Sequence, residues 1–242
     1  MRVLVIGDSC IDEFIYCSIE RICPEAPVPV LKPVNISRNP GMASNVVANL
    51  KSLGVETDIL TNNSQIKKTR YVDTRSGQMV MRVDKSDLCE RYKGEYEVVG
   101  YDAIIISDYC KGFLTEEDIE SFAQKAKCPM FLDTKKQLGK WCLNINFIKI
   151  NEFEHKKNFE LLPNYPFILD KMIVTIGSKG CKYKDKIFSV PEVSVKDVSG
   201  AGDTFLAALV VAYLKNSNIE TAITFANKCA TKVVQKRGVA II

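Results

Sequence analysis

Five short apolar runs, separated by stretches with helical character, limit what this chain can fold into more than any other feature of its sequence. They are Val3-Leu4-Val5-Ile6, Ile104-Ile105-Ile106, Met130-Phe131-Leu132, Phe147-Ile148-Lys149-Ile150 and Met172-Ile173-Val174-Thr175-Ile176. A strand with one wet face alternates apolar and polar residues, whereas a strand covered on both faces need not. These runs therefore predict strands buried between helices, in an α/β fold with a mainly parallel sheet. The intervening helices carry their own signals. Pro40 to Leu53 ends at Gly54, which suits a left-handed C-cap. Thr115 precedes Glu116, Glu117 and Asp118, acidic residues that are favourable at the positive end of a helix. Two long helices, about Ala201 to Lys215 and Ile219 to Lys236, close the chain.

Two segments break this rhythm. Ala26 to Ile36 holds three prolines in an extended run, as tolerated on a sheet edge. Thr69 to Val83 reads as a hairpin around Arg75-Ser76-Gly77-Gln78, with Met79, Met81 and Val83 on one face. A small second sheet would use both segments. Its apolar face would need a cover, either the active-site cleft or a second copy of the chain. A further hairpin is expected from Lys182 to Val190. With 242 residues, one large domain with a substantial core is expected.

Charge and cysteine content narrow the function. The 33 basic and 29 acidic residues are interspersed, with no basic stripe of the kind that binds nucleic acid. The small excess is compatible with a small anionic ligand. Nine cysteines without C-x-x-C spacing, beside the single His155, make a zinc cluster unexpected and point to a reducing compartment. His155 lies in a polar stretch and is a poor candidate base. No apolar run reaches the roughly 20 residues that cross a bilayer, and no signal-peptide pattern opens the chain, so a cytoplasmic protein without a membrane partner is expected.

The chemistry concentrates in Asp197-Val198-Ser199-Gly200-Ala201-Gly202-Asp203-Thr204, followed at once by an apolar helix. Two glycines at a helix start let a ligand approach the backbone, where free N–H groups and the helix dipole favour an anion. Asp203 has two open roles: a partner of the dipole, or a carboxylate beside a bound phosphate that accepts a proton from an attacking hydroxyl. A dinucleotide-binding fingerprint is excluded, because Phe205 stands where the third glycine belongs, and a Walker A ending is absent.

Gly200-Ala201-Gly202-Asp203-Thr204 resembles the second signature of the ribokinase-like (PfkB) sugar kinases. Gly7-Asp8 with Asp12, the segment Asn39-Pro40-Gly41-Met42-Ala43-Ser44-Asn45, and Asn151-Glu152-Phe153-Glu154 resemble further motifs of that family. The run from Arg21 to Val30, with Ser107 to Gly112 and Leu132 to Lys135, is similar to the kinase domain of heptose-7-phosphate kinases, which phosphorylate O-1 of D-glycero-D-manno-heptose 7-phosphate on the route to ADP-heptose. The resemblance implies a three-layer sandwich with a mainly parallel central sheet and a small β lid, about 12–37 and 67–84, within a single domain over 1–242. It implies Asp203 as base and the amides of Gly200, Ala201 and Gly202 as the anion hole. Asp12, Gly41 and Asn45 would hold sugar hydroxyls, Lys68, Arg70 and Lys111 the 7-phosphate, and Arg21 is a further substrate-binding candidate. Asn151 and Glu154 would hold Mg2+ through water, and Lys135, Thr175, Gly177, Gly180 and Asn227 would line the ATP pocket. A homodimer through the lid is also implied.

For Asp12, Gly41, Lys68, Arg70, Gly177 and Gly180, a purely structural role stays open. Three departures from the family pattern stand out. Met42 replaces a glycine of the first signature. Leu60-Thr61-Asn62-Asn63 runs almost directly into the strand at Ile66, where relatives carry about one more α/β unit. The chain also ends at Ile242, where no nucleotidyltransferase domain is expected.

Overall fold

The computed structural model describes residues 1–242. In chain order the strands are β1 (Arg2–Gly7), β2 (Ser9–Ile22), β3 (Pro29–Met42), β4 (Glu56–Thr61), β5 (Ile66–Asp73), β6 (Met79–Lys85), β7 (Ala103–Asp108), β8 (Met130–Thr134), β9 (Phe147–Asn151), β10 (Met172–Thr175), β11 (Cys181–Tyr183) and β12 (Lys186–Phe188). The helices are α1 (Ala43–Ser52), α2 (Glu116–Lys125), α3 (Glu152–Asn158), α4 (Pro166–Leu169), α5 (Ala201–Asn216) and α6 (Ile219–Val233).

All five apolar runs lie in one eight-stranded sheet, ordered β12-β11-β10-β9-β8-β7-β1-β4. From β4 to β10 the neighbours are parallel; the β11–β12 hairpin adds an antiparallel margin. Successive side chains in these strands serve opposite cores. Val3, Val5, Ile105, Phe131 and Ile173 pack with residues of α1, α5 and α6. Leu4, Ile6, Ile104, Ile106, Leu132, Ile148 and Val174 pack with residues of α2 and α4. The result is three layers, stabilised by about 1.5–3 kcal/mol for each large side chain fully withdrawn from water. Helix α5 is buried at every position from Asp203 to Ala212, which explains why its sequence shows no polar face.

The second sheet is ordered β3-β2-β5-β6. It begins at Ser9 and ends at Lys85, a little beyond the predicted lid on both sides. β3 is an edge strand, as its prolines predict. The helix expected from Pro40 starts instead at Ala43, because Asn39 to Met42 complete β3 by pairing with Ser9 to Asp12. The helix expected to reach Lys236 stops at Val233, where the chain turns. Met79, Met81 and Val83 are exposed, so one chain leaves the hairpin's apolar face without a cover.

β1 is flanked by β4 on one side and β7 on the other, so the strand order reverses there. Beyond the carboxyl ends of strands at such a reversal, an α/β sheet leaves a crevice. The two sheets and the start of α5 meet at this point.

Candidate active site

Asp203 lies in the first turn of α5 and is 3% exposed. It caps nothing: Gly200 is the N-cap residue, and no side-chain cap is made. Instead Asn45 Nδ2 on α1 donates to Asp203 Oδ2 at 2.8 Å, and the Tyr109 hydroxyl, just past β7, donates to Oδ1 at 2.7 Å. Burial pushes the Asp203 pKa from 3.8 up to about 6, although the Asn45 and Tyr109 hydrogen bonds oppose the rise. Asp133 adds to the rise and Lys149 opposes it. The value is that of a group able to take a proton near neutrality.

A folded-state pKa above the unfolded one means that burying the ionised carboxylate costs stability. This contribution to stability is full below about pH 4 and is lost as the pH rises through about 6, roughly 3 kcal/mol for a two-unit difference. We expect the Asp203 carboxyl carbon to titrate near 6 in a carbon-13 NMR series. A midpoint below about 4.5 would contradict this account of its surroundings.

Of the three amides expected to form an anion hole, Ala201 N–H is already used, donating to the Val198 carbonyl at 3.2 Å. The Gly200 and Gly202 N–H groups make no hydrogen bond and stay available, as does that of Asp203. The expectation for Ala201 rests on the lack of intrahelical acceptors for all amides of a helix's first turn. A turn closing on Val198 satisfies this one. Gly200 has φ +78, and a Cβ there would sit 2.6 Å from Asn45 Nδ2, so no other residue fits without moving the group that holds Asp203.

Beneath Gly202 lies an ion pair that the sequence reading passed over. Lys149 Nζ lies 2.6 Å from Asp133 Oδ2, with the two side chains 7% and 9% exposed. A Cβ on Gly202 would stand 2.9 Å from that ammonium, so the cation sits directly under the loop. Asp133 keeps Lys149 charged despite burial, its pKa held above the usual lysine value. A lone lysine inside the run Phe147-Ile148-Lys149-Ile150 was the available signal: buried lysine is rare unless paired. Asn49 and Thr204 were missed as well. Thr204 Oγ1 donates to Asn49 Oδ1 at 3.0 Å, and Asn49 Nδ2 donates to the Asn45 carbonyl at 2.9 Å, fixing α1 against α5.

On the lid side, Asp12 is ion-paired with Arg70, and both are largely withdrawn from solvent. Gly41 allows this packing, since a Cβ there would lie 2.2 Å from Asp12 Oδ2. Lys68 is 9% exposed, and burial lowers its pKa. Lys111 pairs with Asp87 at 2.5 Å. Arg82, absent from the sequence-based candidates, lies opposite Arg70 on β6 and holds Asp84 through two contacts of 2.7 Å. Arg21 does not join the group: it is exposed toward the far end of β2, nine residues past Asp12, or roughly 30 Å at the rise of a strand. Met42 is buried with Cys10 and Ile66, at φ 58, and its side chain does not line the large cavity.

That cavity, about 800 Å³, runs from Asp203's loop along the sheet's edge. Asn151, Glu154, Lys135, Thr175, Gly177, Gly180 and Asn227 all line it, together with Tyr109, Lys149, Gly200 and Gly202. Five valines, Val190, Val193, Val195, Val198 and Val234, give the cavity an apolar part of its lining. Asn151 and Glu154 form a reciprocal capping box at the start of α3. The outer oxygen of Glu154 accepts from Lys135 Nζ at 2.9 Å. Asn227 Nδ2 donates to the Phe188 carbonyl, and Thr175 Oγ1 to that of Ile150. The arrangement joins an anion-binding loop, a carboxylate of raised pKa and a partly apolar cleft, as transfer of an anionic group to a hydroxyl requires.

Comparison with known proteins agrees with this geometry. The profile described as pfkB family carbohydrate kinase matches residues 93–242. The bifunctional protein HldE of a Nitratiruptor species is 32% identical over 291 aligned positions, covering 99% of this chain. The chain spans 62% of that relative's length. The alignment is longer than the 242-residue chain, so the relative carries additional residues within the match. Among solved structures, the Methanocaldococcus jannaschii nucleoside kinase, described as an archaeal member of the ribokinase family, has a TM-score of 0.69 at 18% identity, with 98% of this chain and 93% of that one covered. Arabidopsis thaliana ribokinase complexed with ribose and ATP has a TM-score of 0.67 at 17% identity, with 98% and 93% covered. No helix in this chain is long and apolar enough to cross a membrane.

Proposed function

The chain belongs to the pfkB family of carbohydrate kinases, and on that premise we propose that it transfers the γ-phosphoryl group of ATP to O-1 of D-glycero-D-manno-heptose 7-phosphate. The observation that carries the proposal is the position of Asp203 in the first turn of α5, directly after the free amides of Gly200 and Gly202, which line the large cavity. The heptose assignment draws on the motifs shared with heptose-7-phosphate kinases and on the likeness to HldE.

In this scheme Asp203, ionised above about pH 6, orients the acceptor hydroxyl and takes its proton as the new O–P bond forms. The Gly200 and Gly202 amides and the Lys149 ammonium face the charge on the transferring group, in a site largely shielded from water. Asp12 and Asn45 hold sugar hydroxyls. Lys68 and Lys111, joined by Arg82, supply the cations for the sugar's phosphate; Arg70, engaged by Asp12, keeps that carboxylate in place. The valines that line the cavity pack against the nucleotide base.

Magnesium would be held by Asn151 and Glu154. The Asn151 side-chain oxygen and one Glu154 oxygen are used in the capping box, and Lys135 occupies the other Glu154 oxygen. This donor set suits an ion that keeps its own water and is contacted through it, which is how magnesium commonly binds. When bound, the ion would neutralise phosphate charge. The exposed apolar face of β6 supports a homodimer through the lid, and the substrate class supports a cytoplasmic location and a role in making a lipopolysaccharide precursor.

A substrate panel tests the assignment. ADP release should be at least about 100-fold more efficient with the heptose 7-phosphate than with ribose, fructose or fructose 6-phosphate, because a site built for particular polar groups strongly rejects ligands lacking them. Equal efficiency with fructose 6-phosphate would remove the heptose assignment and leave a kinase for another sugar. Ligand binding without turnover on any sugar would favour a catalytically weak sugar-phosphate binder. The presence of Asp203, Asn151 and Glu154 together counts against that alternative, because a mere binder needs no such set.

A further inference from the structure

We propose that Tyr109 is the positioning residue of Asp203: its hydroxyl fixes the carboxylate in one orientation and keeps it available as a base near neutral pH. The inference rests on Asp203 acting as the base in phosphoryl transfer. Both carboxylate oxygens are engaged, one by Tyr109 at 2.7 Å and the other by Asn45 at 2.8 Å. An ionised carboxylate accepts about two hydrogen bonds per oxygen, so each oxygen retains room for a substrate hydroxyl while its rotation is blocked.

The fold holds Tyr109 firmly enough for this task. Its N–H donates to Asp8 Oδ2 at 2.6 Å, and Phe113 N–H donates to Asp8 Oδ1 at 3.3 Å, tying down both ends of the loop after β7. Cys89 N–H donates to the Lys111 carbonyl in between. The ring packs beside Cys10, Met42 and Ile66. The ammonium groups of Lys68, from the lid, and Lys135, from the nucleotide side, lie 5.6 and 4.7 Å from its centroid. A ring held on these sides cannot swing without disturbing the junction of the two sheets.

The electrostatics agree. Burial and the nearby Asp203 charge raise the Tyr109 pKa well above 10.0, so the phenol remains a hydrogen-bond donor throughout the working range. The charged groups facing Asp203 are Asp133 on β8, which raises its proton affinity, and Lys149 on β9, which lowers it. Cys10 on β2 faces it as a neutral thiol, burial pushing its pKa up to about 12, and Asn45 on α1 is uncharged. Of the two groups donating to the carboxylate, Tyr109 can lose its donor by deletion of a single oxygen.

Tyr109→Phe is the test. The Asp203 midpoint, followed by carbon-13 NMR without substrate, should rise by about one pH unit, because a hydrogen bond to a charged group is lost. The acid limb of kcat against pH should move by the same amount, with kcat roughly fivefold lower at pH 6 and the KM for ATP within about twofold of wild type. Melting curves check that the variant is folded. An unchanged midpoint with an unchanged acid limb overturns the proposal and leaves Tyr109 a packing residue. If wild-type protein releases no ADP with any sugar, the kinase assignment fails, while the NMR midpoint alone still decides whether Tyr109 sets the state of Asp203.

Discussion

Asp203→Asn is expected to lower kcat by about 10²- to 10⁴-fold, the range typical for removal of a positioned general base. The KM for ATP should change little, since Asp203 is not among the residues lining the large nucleotide-side cavity. The loss should not come from unfolding. Asparagine has nearly the same shape, and it removes a buried charge whose pKa is already pushed up to about 6. One amide–amide mismatch with Asn45 or a reoriented Tyr109 hydroxyl offsets part of that gain. Wild-type protein should lose stability between about pH 4 and pH 6 through this group, and the variant should lack that component. Steady-state ADP release and calorimetry at pH 5 and pH 8 measure both effects. A variant within tenfold of wild-type turnover would remove Asp203 from the mechanism.

Lys149→Met should be the most damaging substitution for stability. It keeps an unbranched side chain of nearly the same length but leaves the Asp133 carboxylate buried without its partner. Breaking a buried pair from one side costs about 3–5 kcal/mol, whereas replacing both partners with apolar groups of similar volume is often neutral or better. For a chain of this size the melting temperature should fall by roughly 6–20 °C. The double variant Lys149→Met, Asp133→Leu should recover most of that loss but not turnover, because the cation beneath Gly202 stays absent. Thermal melts of wild type and the two variants, with ADP release on the folded ones, separate the structural role from the catalytic one. Full turnover in the double variant would show that Lys149 acts only on stability.

The two halves of the site were unequally legible. The Gly-Ala-Gly-Asp loop is contiguous, and a helix start with two glycines announces anion binding by local geometry alone. Even there the sequence could not show that Val198 takes the Ala201 amide, which depends on how the loop turns before the helix. Asn151 and Glu154 stand three residues apart, so their motif was visible. Their capping box and the approach of Lys135 depend on where β8 ends relative to β9. Arg21 shows the opposite failure. Its place in a motif-like run suggested a substrate contact, but the extended length of β2 carries it away from the crevice within one chain.

The periodicity of apolar residues decided the α/β class, the double-sided sheet, the edge strand rich in proline and the lid hairpin. Each of these follows from side-chain spacing and backbone preference over a few residues, and such forces can be read without knowing what lies opposite. Only the tertiary structure decided what faces Asp203: Asn45 comes from 158 residues away and Tyr109 from 94. Contacts at that separation are set by how the layers pack, and the proton affinity of a buried carboxylate depends on those neighbours.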